Sequence, residues 1–174
     1  MTRTAFITGS GRNIGRAIAL ACARAGAHVV VNYRRSRDRA ESAVDEIMKN
    51  GGRAIALQAD VGDAEAVTGL LRDAREALGK IDIWVNNAGA DILTGTGAAL
   101  PDPEKLHRLL DVDLKGTMLC CWALAPVMQA QGQGVIINMS WDLALHGFQG
   151  RNPQMFAAAK AGLIGFSRPF AKTC

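Results

Sequence analysis

The sequence is short of cysteine and histidine, has no run of five or more like charges and no long apolar stretch, and each shortage removes a class of function. Four cysteines, Cys22, Cys120, Cys121 and Cys174, show neither metal-ligand spacing nor a disulfide framework. Three of them fall in apolar helical patterns and read as reduced core cysteines of a cytoplasmic protein. His28, His107 and His146 are scattered, so no metal site is expected. The N-terminus runs straight into a first strand without a signal-peptide hydrophobic region. No apolar run approaches a membrane span, so no membrane association is expected either.

What is present suits one globular unit. The 174 residues are 49% hydrophobic and 21% charged, enough for a real core in a single domain spanning 1–174. The chain is organised around Thr8-Gly9-Ser10-Gly11-Arg12-Asn13-Ile14-Gly15. Upstream, Thr4 to Ile7 reads as a buried strand. Downstream, Ile14, Ile18, Ala21, Cys22 and Ala25 recur at helical spacing up to Gly26. In such a strand-loop-helix the glycines let the backbone turn sharply and approach a pyrophosphate, whose charge the helix N-terminus accepts. Asn13 tolerates the left-handed backbone that a glycine would otherwise supply there.

The second strand, His28 to Tyr33, is β-branched and suits a parallel sheet covered on both faces. It ends in Asn32 and Arg34 with no carboxylate for ribose hydroxyls, and Arg12 joins from the glycine loop. Guanidinium groups in this place favour NADP(H) over NAD(H). The net charge of +4 is densest at Arg34, Arg35, Arg37 and Arg39. That patch falls where a nucleotide phosphate would lie, so no nucleic-acid partner is expected. A polar helix over 37–50 carries the stripe Ala40, Val44, Ile47 and Met48. A third strand, Ala54 to Gln58, leads to Asp60 and Val61, and Asp63 is placed to cap a helix striped by Ala66, Val67, Leu70, Leu71, Ala74 and Leu78. The fourth strand, Ile81 to Val85, runs into Asn86-Asn87-Ala88-Gly89, whose small residues let backbone lie against a cofactor. A longer helix from Pro103 to Gln131, bent near Gly116 and Pro126, precedes a fifth strand, Val135 to Met139. Alternating strands and helices predict an α/β fold, a doubly wound parallel Rossmann sheet in the order 3-2-1-4-5.

The glycine loop, the Asn-Asn-Ala-Gly segment and Phe156-Ala157-Ala158-Ala159-Lys160 together resemble the short-chain dehydrogenase/reductase family, classical type, along essentially the whole chain. The resemblance is to its 3-oxoacyl reductase branch. It implies hydride exchange between a nicotinamide and a small carbonyl or alcohol substrate. It also implies a cofactor site at Gly9, Ser10, Arg12, Asn13, Ile14, Gly15, Arg34, Asp60, Val61, Asn87, Ala88, Gly89 and Lys160, and homo-oligomers. The family's reaction residues are a Tyr, a Lys four positions later, a Ser and an Asn. Here Lys160 is kept, Phe156 stands at the Tyr position, Trp141 at the usual Ser position with Ser140 beside it, and Asp113 at the Asn position. A phenyl ring has no proton to give, and losing a general acid–base group typically costs about 10²–10⁴-fold. Asp142, His146 and Ser140 are candidate replacements. Family members continue into further strands and a lid after the helix that carries Lys160, so those strands are expected to be missing and the fifth strand to have an open edge. Two readings stay open: an oxidoreductase with an atypical proton relay, and a catalytically silent nucleotide-binding, sensor or scaffold protein. In the second half, Asn152 is expected to cap the helix that carries Lys160, and Pro169 to disrupt its end.

Overall fold

The computed structural model describes residues 2–147 and 149–173; of the four cysteines, Cys174 lies outside them. Five strands, β1 (Thr4–Ile7), β2 (His28–Tyr33), β3 (Ala54–Gln58), β4 (Ile83–Asn86) and β5 (Val135–Asn138), form one parallel sheet in the order β3-β2-β1-β4-β5. The helices are α1 (Asn13–Arg24), α2 (Arg37–Lys49), α3 (Ala64–Leu78), the single turn α4 (Gly95–Ala98), α5 (Asp102–Leu109), α6 (Thr117–Gln131) and α7 (Arg151–Ala171). This is the doubly wound α/β arrangement that the alternation of elements predicts.

Successive strand residues point to opposite faces, and helices cover both, which is why β1 and β2 carry no polar alternation. Ala5, Ile7, Val29 and Val31 pack with Ala19, Ala40, Ala43 and Ile47 of α1 and α2. Phe6, Val30 and Trp84 pack with Val67, Leu70, Leu71 and Ala74 of α3 and with Cys120 and Leu124 of α6. The Phe6 and Trp84 rings stack with centroids 3.9 Å apart, and the Trp84 indole N–H donates to Asn86 Oδ1 at 2.7 Å, so the ring is buried without an unsatisfied donor. Asp63 caps α3 as expected, accepting from the N–H groups of Glu65 and Ala66, worth about 1 kcal/mol.

Four expectations need correction. The buried face of α1 is Gly15 and Ala19, while Ile14 is 62% exposed and Ala21 and Ala25 are exposed. The helix is rotated because Gly15 is pressed against the loop: a Cβ there would meet Asn87 Nδ2 at 2.5 Å. On α2, Ala43 takes the inward place and Met48 is exposed. The single long helix is α5, a π-helical stretch Leu110–Gly116, and α6, which runs unbroken through Pro126 to the left-handed Gly132. Finally, Gly150 rather than Asn152 precedes α7, and Asn152 Oδ1 accepts from Lys105 Nζ at 2.8 Å. Pro169 falls within the last turn of α7, where a missing N–H costs one bond and the helix continues to Ala171. No strand among the described residues pairs with the outer edge of β5, where Val135 and Ile137 are exposed.

Candidate active site

The loop from Thr8 to Gly15 leaves β1 at the carboxyl edge of the sheet and is tied down by side chains from two neighbouring strands. Thr8 Oγ1 accepts from the Asn87 and Ala88 N–H groups, both at 2.9 Å, and Asn87 Nδ2 donates to the carbonyls of Thr8 and Gly9. On the other side the Gly9 N–H donates to Asn32 Oδ1 at 3.1 Å, while Asn32 Nδ2 donates to the Leu57 and Ala59 carbonyls. Gly9 and Asn13 are left-handed, at φ +62° and +49°, so Asn13 holds the turn. A Cβ on Gly9 would lie 2.9 Å from Ala88 Cα, so only glycine lets the loop rest on the Asn87-Ala88-Gly89 backbone.

A cleft of about 660 Å³ runs along this edge. It is lined by Gly9, Arg12, Asn13, Ile14, Gly15, Arg34, Asp60, Val61, Asn87, Ala88 and Gly89, and at its inner end by Asp113, Ser140, Trp141, Phe156 and Lys160. Ser10 is the one expected cofactor residue absent from this lining. It is fully buried, its hydroxyl donates to the Ile7 carbonyl at 2.7 Å and accepts from the Asn32 N–H, and so it shapes the loop from behind. Asn32 and Thr8 do the same work; the sequence marks Thr8 at the head of the loop and Asn32 at the end of the second strand, but their bracing role follows from the hydrogen bonds. Arg35, Arg39, Ile92, Leu93 and Arg108 also line the cleft.

The arrangement fits a nicotinamide dinucleotide. The first turn of α1 holds no acidic residue and no side chain caps it, leaving its N–H groups for a phosphate. Arg12, Arg34, Arg35 and Arg39 gather at one end. Arg34 Nη1 lies 3.4 Å from Asp60 Oδ2, and Asp60 Oδ1 accepts from the Gly62 N–H.

At the inner end the widened π turn carries Asp113 under the Gly89-Ala90 backbone. Asp113 Oδ1 accepts from the Ala90 N–H at 2.7 Å, and Oδ2 is left to the Lys160 ammonium, 3.0 Å away as an ion pair. Both side chains are more than nine-tenths buried. Burial pushes the Asp113 carboxyl up from its ordinary value, and the Lys160 charge and the Ala90 N–H offset part of that. Lys160 Nζ also donates to the Met139 carbonyl at 3.0 Å and sits 5.4 Å from the centre of the Phe156 ring. Phe156 and Trp141 meet edge to face with centroids 5.2 Å apart. Ser140 Oγ donates to the Lys160 carbonyl at 2.9 Å, and neither Asp142 nor His146 is among the residues lining the cleft.

Comparison with known proteins agrees with this geometry. The short chain dehydrogenase family model matches residues 3–174. The chain is 40% identical over 170 residues to a 3-oxoacyl-[acyl-carrier-protein] reductase of Synechocystis, covering 98% of this chain and 67% of the relative. It is 36% identical to the reductase of the same description from Staphylococcus aureus, covering 99% of this chain and 68% of that one. Among solved structures, a putative short-chain alcohol dehydrogenase from Sinorhizobium meliloti superposes with a TM-score of 0.87 at 34% identity, over 99% of this chain and 67% of that one. A short chain dehydrogenase from Burkholderia cenocepacia in complex with NADP gives 0.85 at 33%, over 98% and 68%.

Proposed function

The chain belongs to the short-chain dehydrogenase family, and from that premise we propose that it is an NADP(H)-dependent oxidoreductase acting at a carbonyl or alcohol carbon through an altered proton relay. The observation that carries this reading is the continuous cleft from the arginine cluster beside the glycine loop to the buried Lys160. The named likeness to an NADP-bound relative supports it. When bound, the dinucleotide supplies a hydride equivalent. In this reading the α1 N-terminus holds the pyrophosphate, and Arg12 and Arg34 take the additional phosphate of NADP(H). Asp60 and Val61 meet the adenine, Asn87, Ala88 and Gly89 carry the backbone against the cofactor, and Lys160 faces the nicotinamide ribose.

One observation favours a second reading. Phe156 has no proton to give and Ser140 is committed to a backbone carbonyl, which is what a silent NADP(H)-binding or scaffold protein of the same descent would show. Titration with NADPH and NADH, alongside turnover of a carbonyl panel, separates the two. The proposed enzyme binds NADPH and consumes it above background; the silent protein binds and does not. Arg34→Ala is expected to weaken NADPH roughly tenfold, as loss of a charge-assisted hydrogen bond would, and to leave NADH nearly unchanged. Equal loss for both nucleotides would remove Arg34 from the phosphate site. We further read the protein as cytoplasmic and homo-oligomeric, the latter supported by exposed Trp122 of α6, in edge-to-face contact with Phe166 of α7. A stable monomer by light scattering at micromolar concentration would count against it.

A further inference from the structure

The inner end of the cleft differs from an oxyanion site in three physical respects, and together they describe a different acceptor. First, among the described residues it holds no hydroxyl or imidazole free to deliver a proton. Phe156 has none, the Ser140 hydroxyl donates to the Lys160 carbonyl, and the Lys160 ammonium is engaged by Asp113 and the Met139 carbonyl. The one tyrosine lining the cleft, Tyr33, ends β2 beside the arginine cluster. Second, its charge is balanced. Asp113 cancels Lys160, where a neutral amide would leave an unopposed ammonium facing the substrate. A second carboxylate, Asp91, also lines the cleft; a hydrogen bond from Thr94 holds its carboxyl below the ordinary value, and the Arg12 guanidinium adds to this. Arg108 also lines the cleft and is ion-paired to Glu104 at 2.6 Å. Third, the wall is aromatic: Trp141 and Phe156 stand edge to face and half-buried, and ring faces attract cations.

We propose that this end of the cleft takes a planar organic cation, an N-substituted iminium ion, as the hydride acceptor. The proposal rests on the reading that the cleft holds reduced dinucleotide, and it narrows the acceptor from a carbonyl to its nitrogen counterpart. A carbonyl carbon that gains a hydride leaves an alkoxide that must be protonated. An iminium carbon that gains a hydride forms its C–H bond with that electron pair, the C=N π pair withdraws to nitrogen as a lone pair, and a neutral amine leaves. No proton is exchanged, so no general acid is required. The chain's own residues then have the tasks of neutralising Lys160 through Asp113 and facing the cation with Trp141 and Phe156.

The test uses the full chain, with 2-methyl-3,4-dihydroisoquinolinium as the iminium probe and 1-tetralone as its uncharged carbonyl counterpart. Calorimetry reads binding of each probe with and without NADPH, and absorbance reads NADPH consumption. The iminium is expected to bind roughly tenfold more tightly than the ketone and to be the one that consumes NADPH. Trp141→Leu and Asp113→Asn are each expected to weaken iminium binding roughly tenfold while circular dichroism stays native, and Trp141→Leu should leave NADPH affinity within about twofold. Phe156→Tyr, which restores a proton donor and keeps an aromatic ring, is expected to raise ketone turnover relative to iminium turnover. Equal binding of the two probes, or ketone turnover by the unaltered chain at the iminium rate, would overturn the proposal. Failure of NADPH itself to bind would instead overturn the dinucleotide reading, and the iminium titration of the free chain would still decide the cation site.

Discussion

The two ends of the cleft are built from the same sheet edge but solve opposite problems. At the glycine-loop end, backbone groups are held open: α1 begins uncapped, left-handed Gly9 and Asn13 set the turn, and Thr8, Asn32 and Asn87 brace it from behind. At the inner end, polar groups are turned on one another: Asp113 on Lys160, Ser140 on the Lys160 carbonyl, Trp141 on Phe156. The first end is organised to receive an anion, whereas the second is closed on itself and nearly charge-balanced. A fold can therefore keep a nucleotide cradle while the chemistry beside it changes, because different elements support the two.

The inner end should be the more fragile. Asp113→Ala leaves the Lys160 ammonium buried without its counter-charge, and removing one partner of a buried pair costs about 3–5 kcal/mol. Chemical denaturation should show that loss, with Asp113→Asn somewhat milder because its amide oxygen can still accept from the Ala90 N–H, although the counter-charge is lost in both. Equal mild effects of the two variants would mean that the pair contributes little. The cradle should instead fail in function before it fails in folding. In Gly15→Ala the added Cβ would meet Asn87 Nδ2 at 2.5 Å and the Gly9 carbonyl oxygen at 2.6 Å, which pushes the loop away from the Asn87-Ala88-Gly89 backbone. NADPH affinity is expected to fall roughly 100-fold, about 2.7 kcal/mol. An unchanged affinity in fluorescence titration would show that the loop's close packing is not needed for binding.

The contrast was unevenly legible in the sequence. Strand β2 and the Asp63 cap follow from residues next to one another, so local pattern sufficed for them. The face of α1 did not, because its rotation is set by what Gly15 touches in a segment about seventy residues away, and periodicity carries no such information. The π-helical turn was visible only as a bend near Gly116, a residue that lies against Val61 across the fold. At the inner end the residue types Asp113, Phe156 and Lys160 were readable from motif spacing. Their mutual engagement was not, since it depends on three elements converging. Ser140 shows the limit: its position beside the cleft was legible, but its hydroxyl's turn toward the Lys160 carbonyl was not.

The smallest effect would sharpen the comparison most, because it reads the charge state of the inner end directly. Burial raises the Asp113 carboxyl above its ordinary value of 3.8 more than Lys160 and the Ala90 N–H lower it. Between the ordinary and the raised value the folded chain keeps a proton that the unfolded chain has released, so the folded state binds more protons. The slope of stability against pH from this group is then negative: its contribution is greatest below the ordinary value, is lost as pH rises through the folded value, and is flat above it. The slope is at most about 1.4 kcal/mol per pH unit. Other carboxylates titrate in the same range, so the measurement is the difference in unfolding free energy between the unaltered chain and Asp113→Asn across mildly acid pH. That difference should drift toward the Asn variant as pH rises. A drift toward the unaltered chain would mean that the Lys160 attraction outweighs burial and that Asp113 is a fully developed carboxylate, leaving the inner end an ion pair strong enough to resist protonation.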